Sequence, residues 1–383
     1  MNEIVDAEER PDLLPFEDAA VPAAMKRLVA DPLLGDMARF AFPEIPVADI
    51  KEQLLHVASA DEFQEVFVRP MLERILKKSC SSFTMGGLEH IDLSCGHLFM
   101  SDHRDIVLDG SLLQLALLRC DLPTSEITFG SNLISSPFVE DFGKCNKMYK
   151  ILRGGSARDL VRNSHILSEH IRRVVRDGRS IWISQRDGRT KDGNDHTDQG
   201  LIKMLTLSGG EDVAASLSEL HIVPFAISYE YESCDALKAR ELYMRRRGDY
   251  RKAPGEDLRS IITGVKQFKG AIHLEICPPL RPEEIRRLSA GDEGNELLRG
   301  VASLIDRRIY EAYRLFPTNY IAYDRKFGTA RYAGVEYAPE QYRAFGDYLE
   351  QCTEGFDGDR EELFGILLDI YATPVENKLA VEA

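Results

Sequence analysis

Between about residue 85 and residue 280, short β-rich runs alternate with longer helical ones. GHLFMSD, EITFG, KMYKILR, SIWIS, HIVPFAISYEYE and GAIHLEIC read as strands. SLLQLALLRC and SARDLVRNSHILSEHIRRVVRDG, lying between them, carry apolar residues at helical spacing. Strands separated by helices pair in parallel, because a parallel neighbour needs a crossover of a dozen or more residues. The expected fold is therefore α/β, a layered, mostly parallel sheet flanked by helices. The flanking sequence is helical. VPAAMKRLVADPLLGDMARFAF and ADEFQEVFVRPMLERILKKS repeat apolar residues every three or four positions, with Asp61 placed to cap the second run and Pro43 and Pro46 punctuating the segment. RPEEIRRLSA, NELLRGVASLIDRRIYEAYRLF and PEQYRAFGDYLEQC follow the sheet region, and ENKLAVEA reads as a frayed tail. Three regions result: a helical region over 1–84, the α/β domain over 85–280 and a helical extension over 281–383.

The most reactive-looking stretch is FMSDHRDIVLDGSLL, residues 99–113, where a strand hands over to a helix. Functional sites gather at that point in open α/β sheets. His103 lies there among Asp102, Asp105 and Asp109. HRD, followed later by DFG at Asp141–Gly143, invites a protein-kinase reading. That reading fails because Gly110 stands where a metal-binding Asn is required, and no Gly-rich loop or VAIK strand precedes it. A mononuclear metal site would need further ligands, and no HxxxH or second histidine-rich cluster lies on a neighbouring element. A satisfied polar cluster at the strand end is the remaining alternative to a chemical role.

Three further segments arrive in a fixed order. KMYKILRGGSARD carries Arg153 at a strand end, and on a strand of period two Lys147, Tyr149, Ile151 and Arg153 share one face. SIWISQRDGRTKDGND places Asp187, Gly188 and Arg189 after an apolar strand. IVPFAISYEYE is an apolar strand with a central proline, Val223–Pro224–Phe225. Arginine suits phosphate, since its planar fork holds two oxygens at once. Over residues 95–280 this ordered set resembles the glycerolipid acyltransferases, the family that acylates glycerol-3-phosphate and lysophosphatidic acid. The family's first block is His, four residues, then Asp; here five residues separate His103 from Asp109. The resemblance implies His103 as general base and Asp109 as its orienting carboxylate, with Asp105 as the alternative. It implies Arg153, Asp187, Gly188 and Arg189 as substrate-binding residues and the fourth block as lining of the acyl or donor pocket. The third block departs from the family's EGTRS in having Asp for Glu and one residue fewer before its arginine. Trp182, the single tryptophan, reads as core.

What the resemblance implies functionally is transfer of a fatty acyl group from acyl-CoA or an acyl carrier protein to a glycerol hydroxyl, with no metal and no bound cofactor. The acceptor is glycerol-3-phosphate, lysophosphatidic acid or an amino-acid-linked lipid. The rival activity is a thioesterase or lipid esterase in which His103 activates water. The net charge of −15 argues against a nucleic-acid partner. Two basic runs, RRVVRDGR (Arg172, Arg173, Arg176, Arg179) and MRRRGDYRK (Arg245, Arg246, Arg247, Arg251, Lys252), are candidates to meet anionic headgroups, coenzyme A phosphates or an acidic carrier protein. Seven cysteines without CxxC spacing read as reduced thiols. MNEIVDAEERPDLLPFEDAA is acidic and lacks a signal peptide's apolar centre, and no apolar run is long enough to span a bilayer. The expected location is the cytoplasm, with peripheral contact on the inner face of the membrane.

Overall fold

In a computed structural model of the 383-residue chain, residues 10–248, 250–288 and 294–382 are described. The start of the acidic N-terminal segment, residues 1–9, lies outside them, as does the end of RPEEIRRLSA. Seven strands form one sheet: β1 (Ser82–Gly86), β2 (Leu98–Ser101), β3 (Glu126–Gly130), β4 (Met148–Ile151), β5 (Ile181–Ser184), β6 (Ile222–Tyr229) and β7 (Ala271–Ile276). Their order is β1-β7-β6-β2-β5-β3-β4. Every pairing is parallel except β6 with β7. The fold is α/β, as the alternation of runs predicts.

Side chains alternate across the sheet and feed a core on each face. Phe99, Trp182, Val223, Phe225 and Ile227 point to one core, shared with the N-terminal helices and the helix Leu108–Arg119. Leu98, Met100, Ile181, Ile183, Ile222 and Ala226 point to the other, shared with the helices Ala157–Arg176, Gln199–Thr206 and Asn295–Ala312. The helix Leu108–Arg119 is buried along residues 108–117. It is apolar on nearly all sides, as a helix enclosed between a sheet and another layer must be. A third core joins Ala239 and Tyr243 to the C-terminal helices through Ile321, Phe345, Leu363 and Tyr371.

Several local expectations change. Residues 82–84 belong to strand β1 rather than to the helical region. This edge strand has only five residues and a weak burial alternation, so its period was invisible. Ser59, not Asp61, caps the helix Ala60–Phe63 by accepting from the Glu62 amide at 3.1 Å. Asp61 instead pairs with Lys147 at 2.5 Å. Lys147 itself adopts φ 58° just before β4 and takes no part in a strand face. The segment read as a frayed tail is helical through Glu382. It is held by Lys378, whose Nζ donates to the carbonyls of Glu311 at 3.1 Å and Tyr313 at 2.7 Å. No helix among the described residues is long and apolar enough to cross a membrane.

Candidate active site

Because β2, β5, β3 and β4 run in parallel, the loops leaving their C-terminal ends open on one edge of the sheet. A cleft of about 290 Å³ lies there. His103 enters it from the β2 loop, Arg153 from the β4 loop, and Asp187, Gly188 and Arg189 from the β5 loop. These five residues, separated by up to 86 positions in sequence, therefore share one cleft. Asp109 stands behind His103, fully buried in the first turn of the helix Leu108–Arg119. A cavity of about 350 Å³ at the opposite edge, lined by Phe16, His97 and Thr124, contains none of them.

His103 Nδ1 lies 2.9 Å from Asp109 Oδ2. A carboxylate only accepts, so Nδ1 carries the proton and Nε2 presents its lone pair. The His103 side chain is 14% exposed and lines the cleft. Asp109 is held from every side. Its Oδ2 also accepts from the amides of Arg104 at 2.7 Å and Asp105 at 2.8 Å, and Oδ1 accepts from the Tyr229 hydroxyl at 2.8 Å. Burial, then the nearby Asp109 and Asp105 charges, pushes the Tyr229 hydroxyl well above its ordinary range, so it stays a donor. Asp105 has a different task. Its Oδ1 accepts from the amides of Val107 and Leu108, both at 2.9 Å, and its other oxygen meets Ser233. It ties down the turn that leads into the helix, whose N-cap is Val107. That turn absorbs the extra residue between His103 and Asp109.

The wall beneath His103 is Trp182, whose ring meets the imidazole edge-on at 6.2 Å between centroids. Its Nε1 donates to Ser101 Oγ at 3.0 Å. The ring can come this close to the helix because residue 110 is glycine: a Cβ there would sit 2.9 Å from the indole. Trp182 is both buried core, as expected, and cleft lining.

The cations of the cleft are largely spoken for. Arg153 pairs with Asp187, Lys191 and Arg245 with Glu241, and Lys252 with Asp257. Burial lowers the pKa of Arg153. Arg189 differs: its Nη1 is buried without a hydrogen-bond partner. A desolvated guanidinium nitrogen without an acceptor is costly unless something fills the place. Lys147 and Lys150 do not join the cleft; Lys150 pairs with Glu140 at 2.7 Å. Nor do Val223 and Phe225. They lie in the core of a central strand rather than along the cleft. Of the first basic run, Arg172 is structural, its guanidinium donating to the carbonyls of Leu205 at 3.0 Å and Ser216 at 2.9 Å. In the second, Arg245 and Lys252 reach the cleft.

The chain around His103 rests on a buried ionic cluster that sequence reasoning missed. Arg104 Nη1 donates to Glu232 at 3.1 Å, Nη2 to Asp195 at 2.5 Å and Nε to Asp102 at 3.3 Å. Lys238 Nζ donates to Glu232 at 2.5 Å and to the Arg104 carbonyl at 2.7 Å. All five side chains are buried. Burial and the neighbouring Asp195 raise the Asp102 pKa well above the carboxylate range. Asp195 sits in DGNDHTD, whose composition matches a solvated turn, Glu232 closes the run HIVPFAISYEYE read as a strand, and Lys238 sits in a helix of mixed charge. Only the alternation of buried Gly193, Asp195 and Thr197 betrays the packing.

That β5 loop is clamped at both ends. The Thr190 amide donates to the His103 carbonyl at 2.7 Å, and the Gln185 amide to the Ser101 carbonyl at 2.8 Å. Gly193, at φ 76°, presses on the C-terminal helix, where a Cβ would lie 2.3 Å from the Ile370 carbonyl oxygen. Asp306 accepts from the Thr197 amide at 2.7 Å and its hydroxyl at 2.6 Å. Burial pushes the Asp306 carboxyl up to about 6, from an ordinary 3.8. Since the folded state then binds a proton more readily than the unfolded one, this group favours folding at low pH, and that contribution fades as pH rises from about 4 to about 6. Asp306→Asn is expected to remove that slope. Relative to the variant, the wild type should lose roughly 2 kcal/mol across the window, with solvent access to the half-buried group moderating the full effect. Denaturant midpoints of both proteins at pH 4, 5, 6 and 7 check it; parallel curves would show a solvated carboxyl.

No protein-family model matches the chain, and no curated protein does. Among solved structures the chain is similar to the 1-acyl-sn-glycerophosphate (LPA) acyltransferase PlsC from Thermotoga maritima, at 11% identity, over 75% of this chain and 94% of that one, with a TM-score of 0.35. So distant a superposition says nothing about chemistry, and the reading of the cleft rests on the residues that line it.

Proposed function

We propose that the protein is an O-acyltransferase, moving a fatty acyl group from a thioester to a hydroxyl of an anionic glycerolipid precursor. One observation carries the reading: a histidine backed by a buried carboxylate shares a cleft with two arginines delivered by different strand ends. The order of the four sequence blocks supports it. Arg189, with its unpartnered nitrogen, and Arg153, once Asp187 releases it, hold the acceptor's anionic group. The acceptor hydroxyl donates to His103 Nε2. As its oxygen forms a bond to the thioester carbonyl carbon, its proton passes to Nε2. Asp109 steadies the imidazolium through Nδ1. Backbone amides of the Asp187–Arg189 turn support the oxyanion. The C–S bond then breaks, and the proton on Nε2 leaves with the thiolate, restoring neutral His103.

The purified protein, given labelled acyl-CoA or acyl carrier protein and a panel of acceptors, is expected to consume thioester only when an acceptor alcohol is present. Glycerol-3-phosphate and lysophosphatidic acid should outperform their dephosphorylated counterparts. Thioester consumption that proceeds equally without acceptor would replace this reading with a hydrolase. A preference for a phosphate-free, amino-acid-linked lipid would keep the chemistry and change the acceptor.

A further inference from the structure

The loop leaving β5 has a second face. A cleft of about 530 Å³ opens there, and Asp187 lines both it and the cleft of His103, so the two meet at that residue. Its walls come from Arg186, His196 and Thr197 on the loop and from Arg299 and Asp306 on the helix Asn295–Ala312.

The charges differ from most of those in the first cleft, where Arg189 alone of the named cations keeps a nitrogen without a partner. Arg153, Lys191, Arg245 and Lys252 each have a carboxylate partner. Among the described residues, neither Arg186 nor Arg299 has one. Arg186 Nε is buried with no hydrogen-bond partner, and Nη1 reaches only the Asn194 carbonyl at 3.4 Å. Three carboxylates share the cleft, and none pairs with either arginine: Asp187 pairs with Arg153, Asp198 accepts from the Gly200 amide at 2.8 Å, and Asp306 accepts from Thr197 on the same wall. What remains is a pair of arginines facing open space beside the reactive cleft. A guanidinium fork matches phosphate oxygens in spacing and charge.

Thioester donors of fatty acyl groups carry their sulfur on a pantetheine arm that ends in a phosphate. We propose that Arg186 and Arg299 grip this phosphate in the second cleft, and that the arm crosses the rim at Asp187 to bring the thioester to His103. The proposal rests on the acyl-transfer reading and adds the place where the donor's anionic end is held. Coenzyme A and a carrier protein's prosthetic group both present this phosphate, so the shared 4′-phosphopantetheine is the recognised chemistry.

Binding separates this proposal from the reading beneath it. Calorimetric titrations of the full chain with pantetheine, 4′-phosphopantetheine, coenzyme A and a holo carrier protein would be compared with those of Arg186→Gln and Arg299→Gln. Both side chains reach solvent, so the core is untouched. Wild type is expected to bind 4′-phosphopantetheine at least tenfold more tightly than pantetheine. Each substitution should weaken 4′-phosphopantetheine and coenzyme A about tenfold while leaving pantetheine unchanged. The tighter of coenzyme A and the carrier protein identifies the source. The assignment falls if wild type does not distinguish pantetheine from its phosphate, or if the substitutions weaken both alike. It falls too if only coenzyme A responds, since the arginines would then hold the nucleotide's phosphates. Arginine-dependent binding in a protein that transfers no acyl group would keep the cleft and sink the transferase reading. Active transfer with arginine-independent binding would do the reverse.

Discussion

His103→Ala is expected to lower acyl transfer by roughly 10²–10⁴-fold, the usual contribution of a positioned general base and equivalent to about 3–5 kcal/mol of barrier. Without the imidazole, the carboxylates that line the cleft, Asp187, Glu241, Glu256 and Asp257, are engaged with Arg153, Lys191, Tyr250 and Lys252 rather than free to take the hydroxyl proton. The loss should fall on kcat, because Arg153 and Arg189, the arginines proposed to hold the acceptor, are untouched. The fold should survive. Asp109 keeps three donors without the ring, namely the amides of Arg104 and Asp105 and the Tyr229 hydroxyl, so no buried carboxylate is orphaned. Unfolding curves of the variant should therefore superimpose on those of wild type while single-turnover transfer collapses. A well-folded His103→Ala protein that transfers acyl groups at near wild-type rate would remove His103 from the mechanism.

Arg104→Met should have its effect on stability instead. This guanidinium donates to Asp102, Asp195 and Glu232 at once, in a place where none of the four side chains meets appreciable solvent. Burial alone would lower its pKa, but Asp195 and Glu232 hold it well above the ordinary value. Methionine fills much of the volume and none of the charge. Asp195 would keep only the Tyr313 hydroxyl and Glu232 only Lys238, and removing one partner of a buried ionic set costs about 3–5 kcal/mol. Denaturant unfolding should show a lower midpoint with an unchanged slope. Arg104→Lys should recover little, since one ammonium cannot reach three carboxylates in different directions. A loss below about 1 kcal/mol in Arg104→Met would mean that water reaches the cluster and carries the charges.

Much of this architecture is legible from residue order. Apolar runs mark β2, β3, β5 and β6, because a strand buried on both faces must be apolar along its length, and β7 shows through its alternation of buried and half-buried positions. The blocks around His103, Arg153 and Asp187–Arg189 are visible because each follows such a strand. Edges and turns are less legible. β1 is short and half-exposed, and Lys147 falls out of the β4 pattern through a left-handed backbone that no apolar period signals. The proline-centred strand shows the limit of reading roles from text: Val223 and Phe225 are apolar because they fill a core, not because they face a ligand.

The sequence by itself determined six of the seven strands, the sheet type and the polar residues that follow the strand ends, because hydrophobic periodicity is a local property of the chain. Only the tertiary structure decided that Asp109 rather than Asp105 holds His103, that Asp187 covers Arg153, and that Asp195, Glu232 and Lys238 meet around Arg104. A charged residue in a polar stretch looks solvated until distant segments close over it. Whether it is buried and paired often depends on contacts between distant segments, such as Arg104 with Glu232, 128 residues on, or with Asp195, 91 residues on, which carry no trace in local composition.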